Sequence, residues 1–427
     1  MARGDGIVAL TVALALVACT RSTSTPPAAR SASPGPSADP DAVDRLRALG
    51  YVGVVAAAAD RQGSGVVRRD PRAAAGYSLF NSPNLCSAAL VDEEGRIANY
   101  WSAAPCARWA SVALLPTGDL LVAGIDEGPG GPESQTARRY LMKLSWQGRI
   151  LWKRRLSVHH AVEPLASGQI LVLLAQSRPI PEIDAALPVR DNRIALLSAD
   201  GTEMESVSLY DLLRAAGAGV RMQKVGGARQ GEIDLLHANA LRWIAPAQVL
   251  VTIRHQDLVA LVDWSTKRIS WAWGQGQISG PHDGTVLPDG RLLVFDNGLS
   301  RGWSRVVEVD RERGQVVWSY AAPDRGSFYT VSRGSNQRLP NGDTLIAESD
   351  KGRAFEVTPA GEIVWEFLNP FRSAKGERAA LGTIRRFERA GIDAIVRASG
   401  PGRQPDGRAA ALTGRSPANA ASREAPD

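Results

Sequence analysis

The sequence predicts an all-β fold over residues 76–370, and three observations support this prediction. Short apolar runs alternate there with turns rich in Gly, Pro, Asn and Asp, and few stretches have the period of a helix. Two motifs, each a turn followed by a strand, recur in alternation along this region. The tryptophans that end one of them, Trp271, Trp318 and Trp365, lie 47 residues apart at each step.

The first motif is a tight turn followed by a strand that often ends in Trp. Its six copies begin at Glu94, Gln147, Asp200, Thr266, Arg313 and Ala360. The second motif joins a turn to an apolar strand, and its copies begin at Leu115, Leu165, Ala245, Leu287 and Leu339. Self-similarity at this period is typical of propeller blades, so six copies predict a six-bladed β-propeller.

Further segments complete the predicted architecture. An unusually long interval in the middle of the repeats predicts insertions at residues 177–190 and 209–231, as loops on one face of the ring. Strands near residues 354–367 are expected to close the ring against strands from the N-terminal side. Residues 371–427 are predicted to be a helical and then disordered tail, because their later part is polar and rich in Pro, Gly and Ala.

The N-terminus predicts an exported lipoprotein. Arg3 precedes an apolar run at residues 7–18, which is too short to span a bilayer but suits the core of a signal peptide. The run ends in Leu-Val-Ala-Cys19, which resembles a bacterial lipobox whose cysteine becomes lipidated; a plain secretory signal is the alternative. Residues 1–19 are therefore expected to be the signal, and residues 20–52 a tether with a short helix. The next residue is Thr rather than Asp, which points to the periplasmic side of the outer membrane.

The remaining two cysteines and the overall charge set further expectations. Export permits a disulfide between Cys86 and Cys106, and two free buried thiols are the alternative. The net charge of +6 comes from 50 basic residues interspersed among 44 acidic ones. No basic block alternates with aromatic residues, so nucleic acid is not an expected partner, whereas a basic surface favours anionic substrates.

All five histidines fall in the predicted propeller: His159, His160, His237, His255 and His282. Several lie beside the start or end of a predicted strand, and equivalent positions of successive blades face the same end of a central channel. We therefore expect histidines that are far apart in sequence to converge. Together with Arg254, such a cluster of neutral imidazoles suits nucleophilic attack on a tetrahedral anion.

Two other chemistries compete with this interpretation. Three or four histidines could bind zinc, but no local His-x-His or His-x3-His spacing occurs, and Arg254 would repel a cation. A quinone-dependent dehydrogenase would repeat the motif around Trp318 regularly around the ring, and this chain does not. We therefore expect neither a metal nor a cofactor.

Several segments resemble the core of bacterial arylsulfotransferases, and the resemblance extends over residues 76–370. They are residues 271–274, 280–283, 287–290, 295–298 and 237–239, Arg254 at the end of its strand, and the pair at 159–160. The resemblance implies a six-bladed propeller that moves a sulfuryl group from a phenolic sulfate donor to a phenolic acceptor. It also implies that the reaction is independent of adenylyl-sulfate donors (PAPS) and passes through a sulfated histidine.

Carried over residue by residue, the resemblance makes His282 the nucleophile. The residues that would bind and neutralise the sulfate are His237, Arg254 and one of His159 or His160, with Asn239 as a supporting contact. The sequence departs from the family in one respect, because the family often has Asp after the paired histidines and Ala161 stands here. The sulfate-contacting hydroxyl falls among three candidates, Thr330, Ser332 and Ser335.

Two other functions fit the same sequence. One is a non-catalytic propeller lipoprotein that binds a ligand or partner, and the other is an aryl-sulfate hydrolase with water as the acceptor. The presence of His160, His237, Arg254 and His282 together favours an enzyme, because a binding scaffold does not require all of them.

Overall fold

The computed structural model describes residues 62–128, 138–217, 220–223 and 231–405. The predicted signal, its cysteine Cys19, the tether and the end of the predicted tail lie outside these residues. Within the described part of the chain, no helix has both the length and the apolar character needed to cross a membrane.

Strands dominate the described residues and form six antiparallel sheets, which confirms the predicted six-bladed propeller. The first strand of the chain, β1 (Gly65–Arg69), belongs to the last blade. Blade 1 contains β2 (Tyr77–Ser82), β3 (Ser87–Val91) and β4 (Ile97–Ser102). Blade 2 contains β5 (Arg108–Leu114), β6 (Leu120–Ile125), β7 (Arg139–Leu144) and β8 (Ile150–Arg155). Blade 3 contains β9 (Val158–Pro164), β10 (Ile170–Arg178), β11 (Val189–Leu197) and β12 (Glu203–Ser208).

The second half of the ring repeats this pattern. Blade 4 contains β13 (Ala238–Ile244), β14 (Gln248–Ile253), β15 (Leu258–Asp263) and β16 (Arg268–Trp273). Blade 5 contains β17 (His282–Val286), β18 (Leu292–Asp296), β19 (Arg305–Asp310) and β20 (Gln315–Tyr320). Blade 6 contains β21 (Ser335–Arg338), β22 (Thr344–Glu348), β23 (Arg353–Val357) and β24 (Ile363–Leu368). The two described helices are α1 (Leu209–Ala215) and α2 (Arg389–Ser399).

The ring is closed at both ends of the described chain. The N-terminal strand β1 pairs with β24 and so adds a fifth, outermost strand to blade 6. At the other end, β25 (Ile384–Phe387) pairs with β2 and becomes the innermost strand of blade 1. Closure against strands from the N-terminal side was expected near residues 354–367, and the pairing of β24 with β1 provides it.

The C-terminal segment differs from the prediction of a helical tail after residue 370. The propeller continues to β25, and only then does α2 begin. In α2, Ile392 and Ile395 are buried in a cluster that includes Trp101 and Trp146. The helix therefore packs on the outside of blades 1 and 2, and the propeller extends beyond the predicted limits of 76 and 370.

The repeated tryptophans join four of the blades, namely 1, 4, 5 and 6, to the blade that follows. The Trp101 indole donates a hydrogen bond to the Ser145 carbonyl of blade 2 (3.0 Å), and Trp318 donates to the Pro359 carbonyl of blade 6 (2.9 Å). Trp365 reaches across the closure to the Glu93 carbonyl of blade 1 (3.2 Å). The tryptophan of the repeat thus packs between neighbouring blades, which explains why the repeat contains it without a role in cofactor binding.

Both predicted insertions rise from blade 3. Strands β10 and β11 are lengthened to nine residues each, and α1 follows β12, with Ser208 as its N-cap. In the described part of the connection from α1 to β13, Glu232 and Asp234 pair with Arg190 of the lengthened hairpin (3.3 Å for Asp234). This connection carries Asp234 to the edge of the central channel.

Cys86 and Cys106 form a disulfide in the structure. Cys86 follows the short 3-10 turn after β2, and Cys106 lies in the connection from β4 to β5. The bond therefore fastens the segment that links blade 1 to blade 2.

Candidate active site

The predicted site residues lie around a central cavity of about 870 Å³. Every inner strand runs in the same direction through the ring, so the first residues of β9, β13 and β17 gather at one end of the channel. His159, His160, His237, Arg254 and His282 all line this cavity. The expected convergence of residues from separate blades is therefore present.

The backbone is distorted where these side chains enter the cavity. The pairing register shifts near the starts of β9, β13 and β17, as it does in β-bulges, which reorient side chains. His160 (φ 64°), His237 (φ 46°) and Arg333 (φ 61°) also adopt the left-handed conformation, which costs a non-glycine residue roughly 1 kcal/mol or more. The surrounding fold must supply that energy, and such strain is typical of functional sites.

His282 is held in one neutral form by Asn297. The Asn297 side-chain amide donates to the carbonyls of Thr330 (2.9 Å) and Arg333 (2.8 Å), so its oxygen faces His282 Nδ1 at 2.7 Å. Nδ1 therefore carries the proton, and Nε2 keeps a lone pair that accepts the Arg333 backbone N–H at 3.2 Å. Burial, together with the charge of Arg254, lowers the pKa of His282 to about 3. The imidazole is thus neutral at physiological pH, with Nε2 unprotonated.

His237 is oriented by a carboxylate that the sequence did not single out. Its Nδ1 lies 2.6 Å from Asp234 Oδ2, so Nδ1 carries the proton and Nε2 points towards His160 Nε2, 3.2 Å away. Burial alone would raise the pKa of Asp234, but the charges and hydrogen bonding of His237, with His255 and Arg190, bring it well below its usual value. The signal in the sequence is Asp three residues before the histidine.

His255 holds Arg254 in place. Its Nδ1 donates to the Asp234 carbonyl oxygen (2.6 Å), which leaves Nε2 to accept a hydrogen bond from Arg254 Nη1 (2.8 Å). Burial lowers the pKa of His255 to about 3, so it remains a neutral acceptor. Sequence reasoning gave His255 no role of its own, although it directly follows the arginine.

The family Arylsulfotran_2, described as arylsulfotransferase (ASST), matches residues 140–370, which is more than half of the chain. The chain belongs to the arylsulfotransferase family. The match covers the two outer strands of blade 2, all of blades 3 to 5 and strands β21 to β24 of blade 6, and with them every histidine of the cavity. No curated protein matches the chain.

Similar solved structures include a protein of unknown function from Bacteroides caccae, with 15% identity over 73% of this chain and 98% of that chain (TM-score 0.49). A streptogramin B lyase has 14% identity over 76% of this chain and 93% of that chain (TM-score 0.44). Virginiamycin B lyase from Staphylococcus aureus has 10% identity over 72% of this chain and 87% of that chain (TM-score 0.42).

In this arylsulfotransferase-family chain, the paired histidines take different positions. His159 is only 1% exposed, and its Nδ1 accepts a hydrogen bond from the Asn192 amide (3.3 Å), whose oxygen is occupied by the Ala238 N–H (3.0 Å). His160 instead directs Nε2 at His237. Burial lowers the pKa of both rings well below the ordinary value, so both are neutral. Of the two rings, His160 is the one that contacts a second histidine of the cavity, whereas His159 is held by Asn192.

Among the other predicted contacts, Asn239 and Ser332 line the cavity. Asn239 donates to the Pro281 carbonyl (2.9 Å), and its buried side-chain oxygen has no hydrogen-bond partner among the described residues. Thr330 and Ser335 do not line the cavity; Ser335 accepts the Ile384 N–H (3.1 Å), and Thr330 donates to the Ser332 carbonyl (2.9 Å).

A layer of charged residues lies next to His282. Asp283 accepts hydrogen bonds from Arg242 (2.7 Å), from Arg385 and from the Asn336 backbone N–H (2.7 Å). Burial would raise the pKa of Asp283, but the two guanidinium groups lower it below its usual value. The four residues lie on the inner strands of four blades, so this carboxylate fixes the strand that begins at His282.

The site also contains two groups of metal-ligating side chains. The ligand atoms of His159, His160 and His237 lie within 4.8 Å of one another, as do those of Asp234, His237 and His255. The expectation against zinc rested partly on the lack of local histidine spacing. That reason fails here, because the propeller brings the ligands together from different blades.

Proposed function

We propose that the protein is an aryl-sulfate sulfotransferase that works through a sulfohistidine on His282, without an adenylyl-sulfate donor. The observation that carries the proposal is the fixed tautomer of His282: Asn297 holds the proton on Nδ1, so the Nε2 lone pair belongs to the same cavity as Arg254, His160 and His237. A nucleophile and sulfate-binding groups in one cavity are what covalent transfer of a sulfuryl group requires.

In the first half-reaction, His282 Nε2 attacks the sulfur of the donor. The N–S bond forms as the bond between sulfur and the phenolic oxygen breaks, and the phenolate leaves with the electron pair. The His282 ring becomes cationic, and its Nδ1–H then donates more strongly to Asn297. The sulfate oxygens gain stabilisation from Arg254 and from the Nε2–H of His160, because fixed donors act most strongly where charge accumulates; His237 Nε2, which is an acceptor, orients His160.

In the second half-reaction, a phenolic acceptor attacks the same sulfur. The phenol loses its proton, a new S–O bond forms, and the N–S bond breaks, so that His282 returns to its neutral form. His237 Nε2 keeps its lone pair because Nδ1 donates to Asp234, so it can take the acceptor's proton in the transition state.

The first test follows nitrophenol release from 4-nitrophenyl sulfate, with and without added phenol. We expect release that depends on phenol in the wild type, a loss of at least roughly 1,000-fold in His282→Ala, and no change in a Ser167→Ala control on an exposed turn. Mass spectrometry of the donor-treated protein should find one added sulfuryl group on the peptide containing His282. Release without dependence on phenol would indicate a hydrolase, and no release from folded protein would favour a binding propeller.

We also propose that the protein is exported and lipid-anchored at Cys19 on the periplasmic side of the outer membrane. The lipobox-like segment supports this, and the Cys86–Cys106 disulfide is typical of an oxidising compartment. Labelled fatty acid should be incorporated into the wild type and not into Cys19→Ser, and cell fractionation should place only the wild type with the membranes. Equal labelling of both proteins would contradict the proposal.

A further inference from the structure

We propose that His160 and His237 form a binding site for a divalent transition metal ion, best suited to Zn²⁺, and that the bound metal blocks the sulfate position. The metal site itself depends only on the geometry. Its inhibitory effect rests on the function proposed above, because the metal would occupy His160, which would bind the sulfate of the donor, and His237, which would accept a proton beside it.

The spacing of the two nitrogens fits a zinc ion. His160 Nε2 and His237 Nε2 lie 3.2 Å apart across the cavity. Two ligands of a tetrahedral zinc ion, each bonded at roughly 2.0–2.1 Å, stand roughly 3.3 Å apart. A metal can therefore replace the hydrogen bond between the two rings with little movement of either side chain. Water would fill the remaining positions.

The hydrogen bonds around the pair support metal binding. The Asp234 carboxylate accepts from His237 Nδ1 at 2.6 Å, which is the carboxylate–histidine arrangement found behind zinc ligands. It fixes the proton on Nδ1 and increases the basicity of Nε2. His159 is not expected to join, because its Nδ1 already accepts from Asn192 and its proton is therefore on Nε2.

The charges around the pair do not exclude a cation. Because His237 Nε2 is an acceptor, the proton between the two rings lies on His160 Nε2, and metal binding has to move it off that nitrogen. Arg190 and Arg254 bring positive charge near the site, but Asp234 and Glu232 offset it, with Arg190 paired to both carboxylates. The Arg254 guanidinium is directed at His255 rather than between the two ligands.

Isothermal titration calorimetry on untagged protein tests the site directly, with ZnCl₂ as the probe and MgCl₂ as the control. We expect one Zn²⁺ per chain, and no heat from Mg²⁺, which prefers oxygen ligands. His160→Ala and His237→Ala should each weaken Zn²⁺ binding by at least about tenfold, whereas His159→Gln should change it by no more than about threefold. Circular dichroism of each variant establishes that it is folded.

The outcomes separate this proposal from the proposed function. Absence of Zn²⁺ binding in the wild type, or equal affinity in folded His160→Ala, overturns the metal site whether or not the protein transfers sulfate. If Zn²⁺ binds as expected, it should raise the KM for 4-nitrophenyl sulfate and leave kcat unchanged, and a chelator should restore activity. Binding at both histidines without any change in KM overturns the blocking role.

Discussion

At the scale of single residues, the site depends on which nitrogen of each histidine carries the proton. His237, His255 and His282 each have Nδ1 tied to an oxygen that cannot donate: a carboxylate, a carbonyl and a side-chain amide oxygen whose nitrogen is already occupied. All three therefore keep Nε2 as an acceptor. Residues outside the cavity wall, chiefly Asp234 and Asn297, thus determine which ring nitrogen of these histidines has a lone pair.

Asp234→Asn tests this dependence. An amide in place of the carboxylate can donate to His237 Nδ1, which would move the ring proton to Nε2 and remove its acceptor. We expect kcat for sulfuryl transfer to fall by roughly 100-fold or more, as happens when a histidine is forced into the wrong tautomer. Asp211→Asn is the control, since it removes an exposed carboxylate of the neighbouring helix α1. Equal rates in the two variants would show that Asp234 does not position His237.

The buried neutral histidines predict how stability depends on pH. Burial lowers the pKa of His255 and His282 to about 3, whereas the unfolded chain binds these protons near pH 6.5. Protonation therefore favours the unfolded state, and the free energy of unfolding should be constant above about pH 7 and fall as the pH drops below 6.5. At pH 5 the loss should be on the order of 1–2 kcal/mol for each of these residues.

Urea unfolding at pH 7.5 and pH 5 measures this loss. His282→Gln removes one of the titrating groups, so its free energy of unfolding should fall less than that of the wild type between the two pH values. An equal fall in both proteins would mean that His282 titrates in the folded state much as it does in water.

Sequence reasoning identified the histidines, Arg254 and Asn239, because those residue types carry the chemistry. It did not assign the residues that control them. Asp234 lies in an insertion outside the blade repeat, so the repeat gave it no position. Asn297 was part of a recognised segment, but its role appears only when the two carbonyls that accept from its amide are known.

At the scale of elements, the site residues lie at the starts of the inner strands. Local departures from the blade repeat determine how these starts are oriented and held. Bulges reorient the first residues of β9, β13 and β17. Between blades 1 and 2, the connection is fastened instead by the Cys86–Cys106 disulfide. These interruptions are local, so a sequence repeat predicts the blades well and their exceptions poorly.

The disulfide should contribute measurably to stability. Its cysteines are 20 residues apart, and closing a loop of that length stabilises a protein by about 3 kcal/mol in the chain-entropy description. We expect the double variant Cys86→Ser, Cys106→Ser to unfold at lower urea concentration than the wild type. A reductant should shift the wild type to the same midpoint and leave the double variant unchanged. A wild type that is insensitive to reductant, under conditions that reduce it fully, would contradict this.

The strand β25 shows most clearly what the sequence could not predict. Its four residues are followed at once by the amphipathic helix α2, so local pattern alone assigns the whole segment to a helix. Its strand conformation comes from pairing with β2, where Ser78 lies opposite Arg386, 308 residues away in the chain. Propensity is overruled by a contact that no local window contains.

At the scale of the whole molecule, the ring is held closed by contacts between the inner strands of blades 6 and 1. The Gln337 side chain donates to the Arg386 carbonyl (2.9 Å) and accepts from the Arg386 N–H (2.8 Å). Asp283 joins the same strands to those of blades 4 and 5 through its two arginines and Asn336. Because the site residues come from different blades, the site exists only when the ring is closed.

Ile384→Ala tests the contribution of β25 to the closed ring. Ile384 is 1% exposed, so removing three of its carbon atoms should lower the free energy of unfolding by about 2–4 kcal/mol. Ile150→Ala is the matched control, because that side chain is 57% exposed on an outer strand, and its effect should stay within about 0.5 kcal/mol. Both values come from urea unfolding monitored by tryptophan fluorescence. Similar effects for the two substitutions would mean that β25 adds little to the stability of the ring.

The position of β25 also determines when, during synthesis of the chain, blade 1 can be completed. Blade 1 begins with β2, yet its innermost strand is made last, and a ribosome adding roughly 5–20 residues per second needs roughly 15–60 s to cover the 308 residues between Ser78 and Arg386. Throughout that interval the nascent chain holds an unpaired strand edge, which makes it a client for chaperones. The same delay keeps the chain from reaching its final fold early, which is the condition that the proposed export in an unfolded state would require.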